Sequence, residues 1–322
     1  MKRLGCLVAA VALLVLGVGG WFASGWYGSS GIEEETNFII PSGSSLTSVA
    51  QKLEAEGRIG SADAFLLRAK ILGGGDPIQA GEFALEPGAS PSSILSAFQS
   101  GETINRFVTV PEGMPSVMVW ERLMAEELLT GEIPVPEEGS VLPDTYSFER
   151  GEDRTAVLAR MQAAMRNYLA EAWPKRGPDT VVDNIKDAVI LASVVEKETG
   201  KPQERTMVAG LYSNRVRTGM LLQADPTIIY PITKGKPLGR RIRQSEIAAI
   251  NGYNTYTRLG LPEGPITNPG REAIAAVLNP AKTSSLYMVA DGTGGHKFAD
   301  TLAEHNANVE EWYKLRRERG EM

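Results

Sequence analysis

Two glutamates near the end of an apolar segment have the surroundings best suited to acid–base chemistry. Glu196 and Glu198 follow the apolar run from Leu191 to Val195 and flank Lys197. Burial among apolar groups destabilises a charged carboxylate and raises its pKa, which lets the protonated form donate near neutral pH. The sequence therefore predicts a proton-transferring carboxyl group in this segment.

A helix over residues 183–199 must present these two carboxyl groups. Asp183 is a typical N-cap residue, and Gly200 and Pro202 are typical stop signals. Because apolar residues occur all around this segment, we expect a helix that is largely buried.

Helical periodicity assigns the two carboxyl groups to different faces. Glu198 lies about 200° around the helix axis from Glu196. Glu196 shares its stripe with three apolar residues at four- and three-residue spacing, Ile185, Val189 and Ala192. The stripe favours Glu196 as the proton donor. The alternative is an ion pair between Glu196 and Arg205 or Arg215.

Residues suited to binding a sugar follow this helix along the chain. Aromatic faces stack on sugar rings, while amide, hydroxyl and carboxylate groups hydrogen-bond to sugar hydroxyls. We predict a substrate-binding set of seven residues, Gln223, Asp225, Tyr253, Asn254, Thr255, Tyr256 and Asn268. For the polar members, bracing of a loop is an equally open alternative, and Asp225 can also form an Asx turn ahead of Pro226.

The N-terminal segment has the features of a membrane anchor. Residues 4–23 contain no charged residue and are about long enough to cross the hydrocarbon core as a helix. Lys2 and Arg3 precede this run and acidic residues follow it, which predicts a cytoplasmic tip at 1–3 and an extracytoplasmic remainder. A linker at 24–35 would follow the transmembrane helix. A cleaved signal peptide is the alternative.

The composition excludes several other kinds of chemistry. The net charge of −6 and the isoelectric point near 5.3 provide no basic field, so nucleic acid is not an expected partner. Cys6 is the single cysteine and lies in the apolar run, which leaves no thiol or disulfide downstream. His296 and His305 lack a third ligand at a suitable spacing, so we expect no metal, and His296 is left either to bind substrate or to brace its turn.

An internal repeat with a period of 70 residues organises the part between the anchor and the glutamates. Each copy predicts a strand, a Pro-x-Gly turn and an amphipathic helix. The matching pairs are Pro41 with Pro111, Gly43 with Gly113, Val49 with Val119, and Leu53 with Leu123. A further strand, turn and helix are predicted at 80–102. We place one small α+β module at 36–104, a second at 105–150, and a mainly helical region at 151–322.

The chain resembles the endolytic murein transglycosylase (YceG-like) family over nearly all of its length after the anchor. The resemblance rests on segments that occur in the family's order, 191–199, 212–216, 220–230, 253–256, 260–270, and 294–298 with 304–306. It implies an α+β protein with an N-terminal transmembrane helix, small βα modules of LysM-like type, and a mainly helical catalytic domain at 151–322.

The resemblance also implies a reaction, a non-hydrolytic cleavage of peptidoglycan glycan strands. It makes Glu196 the catalytic glutamate. This residue would protonate the glycosidic oxygen between N-acetylmuramic acid and N-acetylglucosamine, and would then deprotonate the muramyl C6 hydroxyl as that oxygen attacks C1. A 1,6-anhydro end results without a cofactor, and one carboxyl group suffices where ordinary glycosidases use two.

The resemblance further implies a setting and partners. The chain would be a single-pass protein of the cell (inner) membrane with its catalytic domain in the periplasm, where it would terminate nascent strands beside peptidoglycan synthesis proteins. Two alternatives stay open at this point. One is a hydrolytic muramidase, if Asp225 faces Glu196 across the sugar, and the other is a non-catalytic scaffold that binds glycan.

Overall fold

The computed structural model describes residues 2–321 and is a mixture of helices and short strands. Met1 and the side chains of residues 2–6 and 8 lie outside the described residues, and the predictions for the tip at 1–3 and for the Cys6 side chain fall there. The chain forms two compact units, one that ends at Arg106 and one that begins at Phe107. The limits proposed from the sequence for the two small modules and for the region at 151–322 stay predictions.

The first unit folds around one apolar core. Its elements are α1 (Lys2–Tyr27), β1 (Thr36–Ile40), α2 (Leu46–Ala55), α3 (Ala62–Leu72), β2 (Gly81–Leu85) and α4 (Pro91–Ser100). β1 and β2 pair antiparallel, with Phe38 opposite Phe83. Both rings pack on Phe98, at centroid distances of 5.5 and 5.0 Å. These three aromatic residues fix α4 against the sheet.

Helix α1 supports an anchor but differs from the prediction at its end. Ala9–Tyr27 has a mean hydropathy of 1.7 and is long enough to cross a membrane, a property that signal sequences share. The predicted linker at 24–35 is wrong as a free spacer, because Trp26 and Ile32 are buried in the core of the first unit. The Trp26 ring packs on the Phe65 ring at a centroid distance of 5.6 Å.

The second unit contains the segments that carry the chemistry. Its elements are β3 (Arg106–Thr109), α5 (Ser116–Ala125), β4 (Thr145–Phe148), α6 (Arg154–Ala172), α7 (Ile185–Glu198), α8 (Arg205–Thr218), α9 (Asp225–Thr233), α10 (Gln244–Ile247), α11 (Arg271–Leu278), β5 (Tyr287–Ala290), β6 (His296–Ala299) and α12 (Leu302–Glu318). Helices α7, α8 and α11 pack on one another around one core. β3 pairs with β4, and β5 pairs antiparallel with β6.

The strand, turn and helix of the 70-residue repeat are confirmed in both copies. β1 leads through the turn at Gly43 into α2, and β3 leads through the turn at Gly113 into α5. Both glycines have positive φ, 78° and 72°, which explains their place in the motif. The repeated apolar residues all face a core, Val49, Leu53, Val119 and Leu123.

Candidate active site

Helix α7 is buried almost all around, as its composition predicts. Every residue from Ala188 to Val195 is buried. The helix begins one residue later than expected, because the Asn184 side chain rather than that of Asp183 accepts the Asp187 amide, at 2.9 Å. The C-terminal turn therefore emerges from the core with Glu196 and Glu198 on it.

Glu196 is held inside an ionic cluster. Its side chain is 4% exposed, and one oxygen accepts the Gly270 amide at 2.8 Å. The other oxygen lies 3.5 Å from the guanidinium of Arg205. Burial raises the pKa of Glu196, although the Gly270 amide and Arg205 act in the opposite direction. The ion pair with Arg205 is thus present, as the sequence alternative proposed.

Arg205 brings three carboxylates together. Besides Glu196, its guanidinium contacts Glu112 at 2.8 Å, and it pairs with Glu272 on α11. Glu112 belongs to the Pro-x-Gly turn ahead of α5, so the cluster ties this turn to α7 and α11. A carboxylate held in this way is poorly placed to exchange protons with a substrate.

Glu198 has a different environment on the opposite side of the turn. Burial raises the pKa of Glu198 to about 7, and a hydrogen bond with Tyr212 offsets part of that effect. Oε1 of Glu198 is buried and, among the described residues, has no hydrogen-bond partner. A carboxyl group with this pKa is present in both protonation states near neutral pH, as a residue that donates and then accepts a proton requires.

The Glu198 side chain lines a cleft of about 230 Å³. The same cleft is lined by three residues of the predicted binding set, Gln223, Asp225 and Tyr256. The Tyr256 hydroxyl donates a 2.6 Å hydrogen bond to Asp225. The structure thus brings these three side chains together around Glu198 and not around Glu196.

Gln223 has an unusual backbone. Its φ of 50° lies in the left-handed region, which non-glycine residues rarely adopt. Its amide donates to the Thr255 carbonyl at 3.1 Å, which holds this conformation ahead of α9. Strained backbone of this kind clusters at binding and catalytic sites, where the surrounding structure maintains it.

Two other members of the predicted set are internal braces. Asn254 is fully buried and donates to the carbonyls of Ile247 and Ala249, at 2.9 and 2.7 Å. Thr255 is also fully buried, and its hydroxyl bonds to that of Thr227 at 2.8 Å. The prediction that these two bind substrate is corrected, because their polar groups are used in shaping the loop that carries Tyr256.

Asn268 is a brace as well. It is fully buried, accepts the Val141 amide at 3.0 Å, and donates to the Met114 carbonyl and the Ser116 hydroxyl. These bonds connect the loop before α11 to the turn ahead of α5. Tyr253 is half-buried and packs on Tyr230 at 4.8 Å, away from the Glu198 cleft.

The sequence matches a family of known proteins. The YceG-like family model matches residues 38–311. The chain belongs to the YceG-like family. An endolytic murein transglycosylase of Bacillus subtilis (strain 168) is 28% identical over 315 residues, which cover 88% of this chain and 86% of that relative. An endolytic murein transglycosylase of Streptococcus pneumoniae (strain D39) is 28% identical over 356 residues, which cover 94% of this chain but 64% of that relative.

A solved structure shares the fold of this YceG-like chain. The 2.6 Å crystal structure of a YceG-like protein from Listeria monocytogenes is 25% identical and superposes with a TM-score of 0.52. The similarity covers 85% of this chain and 98% of the Listeria chain.

Three further residues line the cleft beside Glu198, Tyr212 and Arg215 of α8 and His296 of β6. The sequence did not predict Tyr212 and Arg215 as sugar contacts, whereas it left His296 either to bind substrate or to brace its turn. Arg215 is buried and donates to the Leu222 carbonyl at 2.6 Å. The His296 ring lies 2.9 Å from the Glu204 carboxylate. The one available signal was that all three occur in segments that carry the family resemblance.

Among the side chains that the structure describes, no three of His, Cys, Asp or Glu come together as a group that could hold a metal ion.

Proposed function

We propose that this protein is an endolytic lytic transglycosylase that cleaves peptidoglycan glycan strands between N-acetylmuramic acid and N-acetylglucosamine. The names of the Bacillus and Streptococcus relatives support the substrate and the reaction class. The cleft at the end of α7 supports a single-carboxyl mechanism.

We assign the catalytic acid to Glu198 in place of Glu196, which the sequence favoured. The observation that carries this assignment is the buried, unpartnered Oε1 of Glu198 in the cleft, on a carboxyl whose pKa is raised to about 7. Glu196 instead contacts Arg205 and the Gly270 amide. In this assignment Glu196 is a positioning residue that fixes the end of α7 against α11.

The reaction then proceeds with one carboxyl group. Protonated Glu198 gives its proton to the glycosidic oxygen as the bond from C1 to that oxygen breaks, and the N-acetylglucosamine hydroxyl leaves. The muramyl C6 oxygen forms a bond to C1, and the Glu198 carboxylate takes the C6 hydroxyl proton. Glu198 ends in its starting state, and no water is consumed. The product is a 1,6-anhydromuramyl end.

Within the cleft, Gln223, Asp225 and Tyr256 are the substrate-binding residues that we propose. Gln223 and Asp225 have exposed side chains. The hydrogen bond to Asp225 orients the Tyr256 ring at the cleft wall. Tyr253, Asn254, Thr255 and Asn268 act through the shape of the surrounding loops.

We also propose that α1 retains the protein in the cell membrane, with the N-terminus in the cytoplasm and the catalytic region outside. The apolar stretch Ala9–Tyr27 supports an anchor. An anchored enzyme would meet new glycan close to the membrane, so we propose that it terminates strand elongation beside peptidoglycan synthesis proteins. The βα modules, LysM-like by resemblance, would hold the strand.

Product analysis with two matched variants tests this assignment. The full-length protein in detergent is incubated with purified glycan strands, and the products are weighed by mass spectrometry. We expect internal cleavage with 1,6-anhydromuramyl ends from the wild type and from Glu196→Gln, and none from Glu198→Gln. If Glu198→Gln cleaves the strands and Glu196→Gln does not, the catalytic residue is Glu196. No cleavage by the folded wild type would favour a glycan-binding scaffold.

A hydrolytic muramidase is the second candidate, and the position of Asp225 favours it. Asp225 lines the same cleft as Glu198, so that two carboxyl groups face one space, as in glycosidases. Reducing muramic acid ends without any anhydro sugar would establish hydrolysis. Against this candidate, the Asp225 carboxylate accepts the Tyr256 hydroxyl.

A further inference from the structure

A second, larger concavity opens beside the Glu198 cleft. Its volume is about 460 Å³, twice that of the cleft, and its walls are largely apolar. Met114, Pro115 and Met118 form one side, ahead of and within α5, and Ile229 of α9 and Leu238 form the other. We call this concavity the module pocket, because the turn before α5 supplies one of its walls. No residue of the predicted sugar-binding set lines it.

The module pocket adjoins the cleft through consecutive residues. Lys197 lines the module pocket, and the next residue, Glu198, lines the cleft. In the same way Asp225 lines the cleft and Pro226 lines the module pocket. The two spaces therefore share walls at the end of α7 and the start of α9. An extended peptide spans about 3.3 Å per residue, so a stem of several residues attached to a sugar in the cleft has the length to pass these shared walls.

The module pocket carries unneutralised positive charge. Among the side chains that the structure describes, Lys197 has no carboxylate in ion-pair contact, and its ammonium donates to the Gly113 carbonyl at 3.4 Å. Glu112, also on the wall, is engaged by Arg205. Lys236 on the opposite wall pairs with Glu121.

The loop that borders the module pocket adds to this field. Residues 234–243 contain five lysines or arginines and no acidic residue, in a chain whose net charge is −6. Two of the five are paired, Lys236 with Glu121 and Arg240 with Glu246, so the field comes from the other three. A ligand that fits this setting has small apolar groups for the walls and carboxylates for the cations.

We propose that the module pocket binds the peptide stem attached to the muramyl residue at the cleavage site. The stem joins the sugar through a lactyl group, carries small apolar side chains and bears free carboxylates, which match the walls and Lys197. This inference rests on the proposed function, since the stem enters only when a muramyl residue occupies the cleft. The enzyme therefore prefers strands that still carry stems.

Binding tests the pocket without any cleavage. Calorimetry on the Glu198→Gln protein measures the affinity for a muramyl peptide and for the same sugar without its peptide. We expect the peptide-bearing sugar to bind more tightly, and Lys197→Met to weaken its binding about fivefold to tenfold, the worth of one typical hydrogen bond. Lys186→Met, on the exposed first turn of the same helix, is the matched control and leaves the affinity unchanged. Equal affinity for the two ligands overturns the proposal.

The kinetics of strand cleavage provide a second test of the module pocket. Strands with intact stems and strands stripped by an amidase are offered to the wild type, Lys197→Met and Lys197→Glu. We expect kcat/KM to fall on intact strands, more for the glutamate variant because it repels the stem carboxylates, and to stay unchanged on stripped strands. Equal losses on both substrates overturn the stem pocket. Failure of the proposed function gives a different result. In that case no anhydro products form, but calorimetry still shows tighter binding of the peptide-bearing sugar.

Discussion

Replacement of Glu198 by glutamine removes a buried acid whose ionisation the fold opposes, and it should change how stability depends on pH. The pKa of Glu198 rises from its ordinary value of 4.5 to about 7 because of burial. The folded state therefore binds a proton that the unfolded state releases between these two values. That contribution to stability is complete below pH 4.5 and is lost as the pH rises through 7.

The size of the effect follows from the two pKa values. Between pH 5 and pH 8 the wild type should lose about 2–3 kcal/mol of unfolding free energy through this group alone. Glutamine stays neutral and carries no such loss. For a unit of this size the difference corresponds to about 5–10 °C in the melting temperature.

Thermal melts of the full-length protein in detergent, for wild type and Glu198→Gln at several pH values, measure this difference. The stability of Glu198→Gln relative to wild type should increase steadily from pH 5 to pH 8, while its cleavage of glycan strands is abolished. Parallel pH profiles for the two proteins would show that Glu198 is not buried as an acid, and the proton-donor role would lose its physical basis.

Three further predictions concern Asp225, Asn268 and Trp26. Asp225→Asn should slow cleavage but keep anhydro ends in the mass spectrum, whereas reducing muramic acid ends that the wild type forms and Asp225→Asn does not would indicate the two-carboxyl hydrolytic mechanism. Asn268→Ala removes the hydrogen-bond partner of the Val141 amide, the Met114 carbonyl and the Ser116 hydroxyl, all of which lie at this buried side chain. It should lower the free energy of unfolding by about 2–4 kcal/mol in thermal melts. Unchanged stability would refute the bracing role. Trp26→Ala should lower the free energy of unfolding by about 3–5 kcal/mol and make the first unit sensitive to limited proteolysis. If the variant resists proteolysis as well as the wild type does, the linker begins before Trp26.

The sequence predicted the local elements well because local rules govern them. Pro-x-Gly turns followed by four-residue apolar spacing gave both copies of the repeat, and the buried Val49 and Val119 confirm the spacing. The prediction of a free linker at 24–35 was wrong for a non-local reason. Trp26 and Ile32 lie in a polar, glycine-rich stretch, and only their partners from α3 and the sheet bury them.

The candidate site also contains features that the sequence predicted and features that it could not predict. That a carboxyl group at the end of α7 lies near Gln223, Asp225 and Tyr256 could be predicted from residue types and motif order. Asn254, Thr255 and Asn268 are polar in the same manner but are buried, and composition does not separate a polar group that meets substrate from one that braces a loop.

The amino-acid sequence by itself determined the helix, its limits to within a residue, the opposite directions of Glu196 and Glu198, and the family. Only the tertiary structure decided which direction opens on a cleft. Helix α7 is apolar on every face, so its periodicity carries no contrast between core and solvent. The gap beside Glu198 and the guanidinium beside Glu196 are made by α8, α9 and the loops around them, whose positions depend on contacts far apart along the chain.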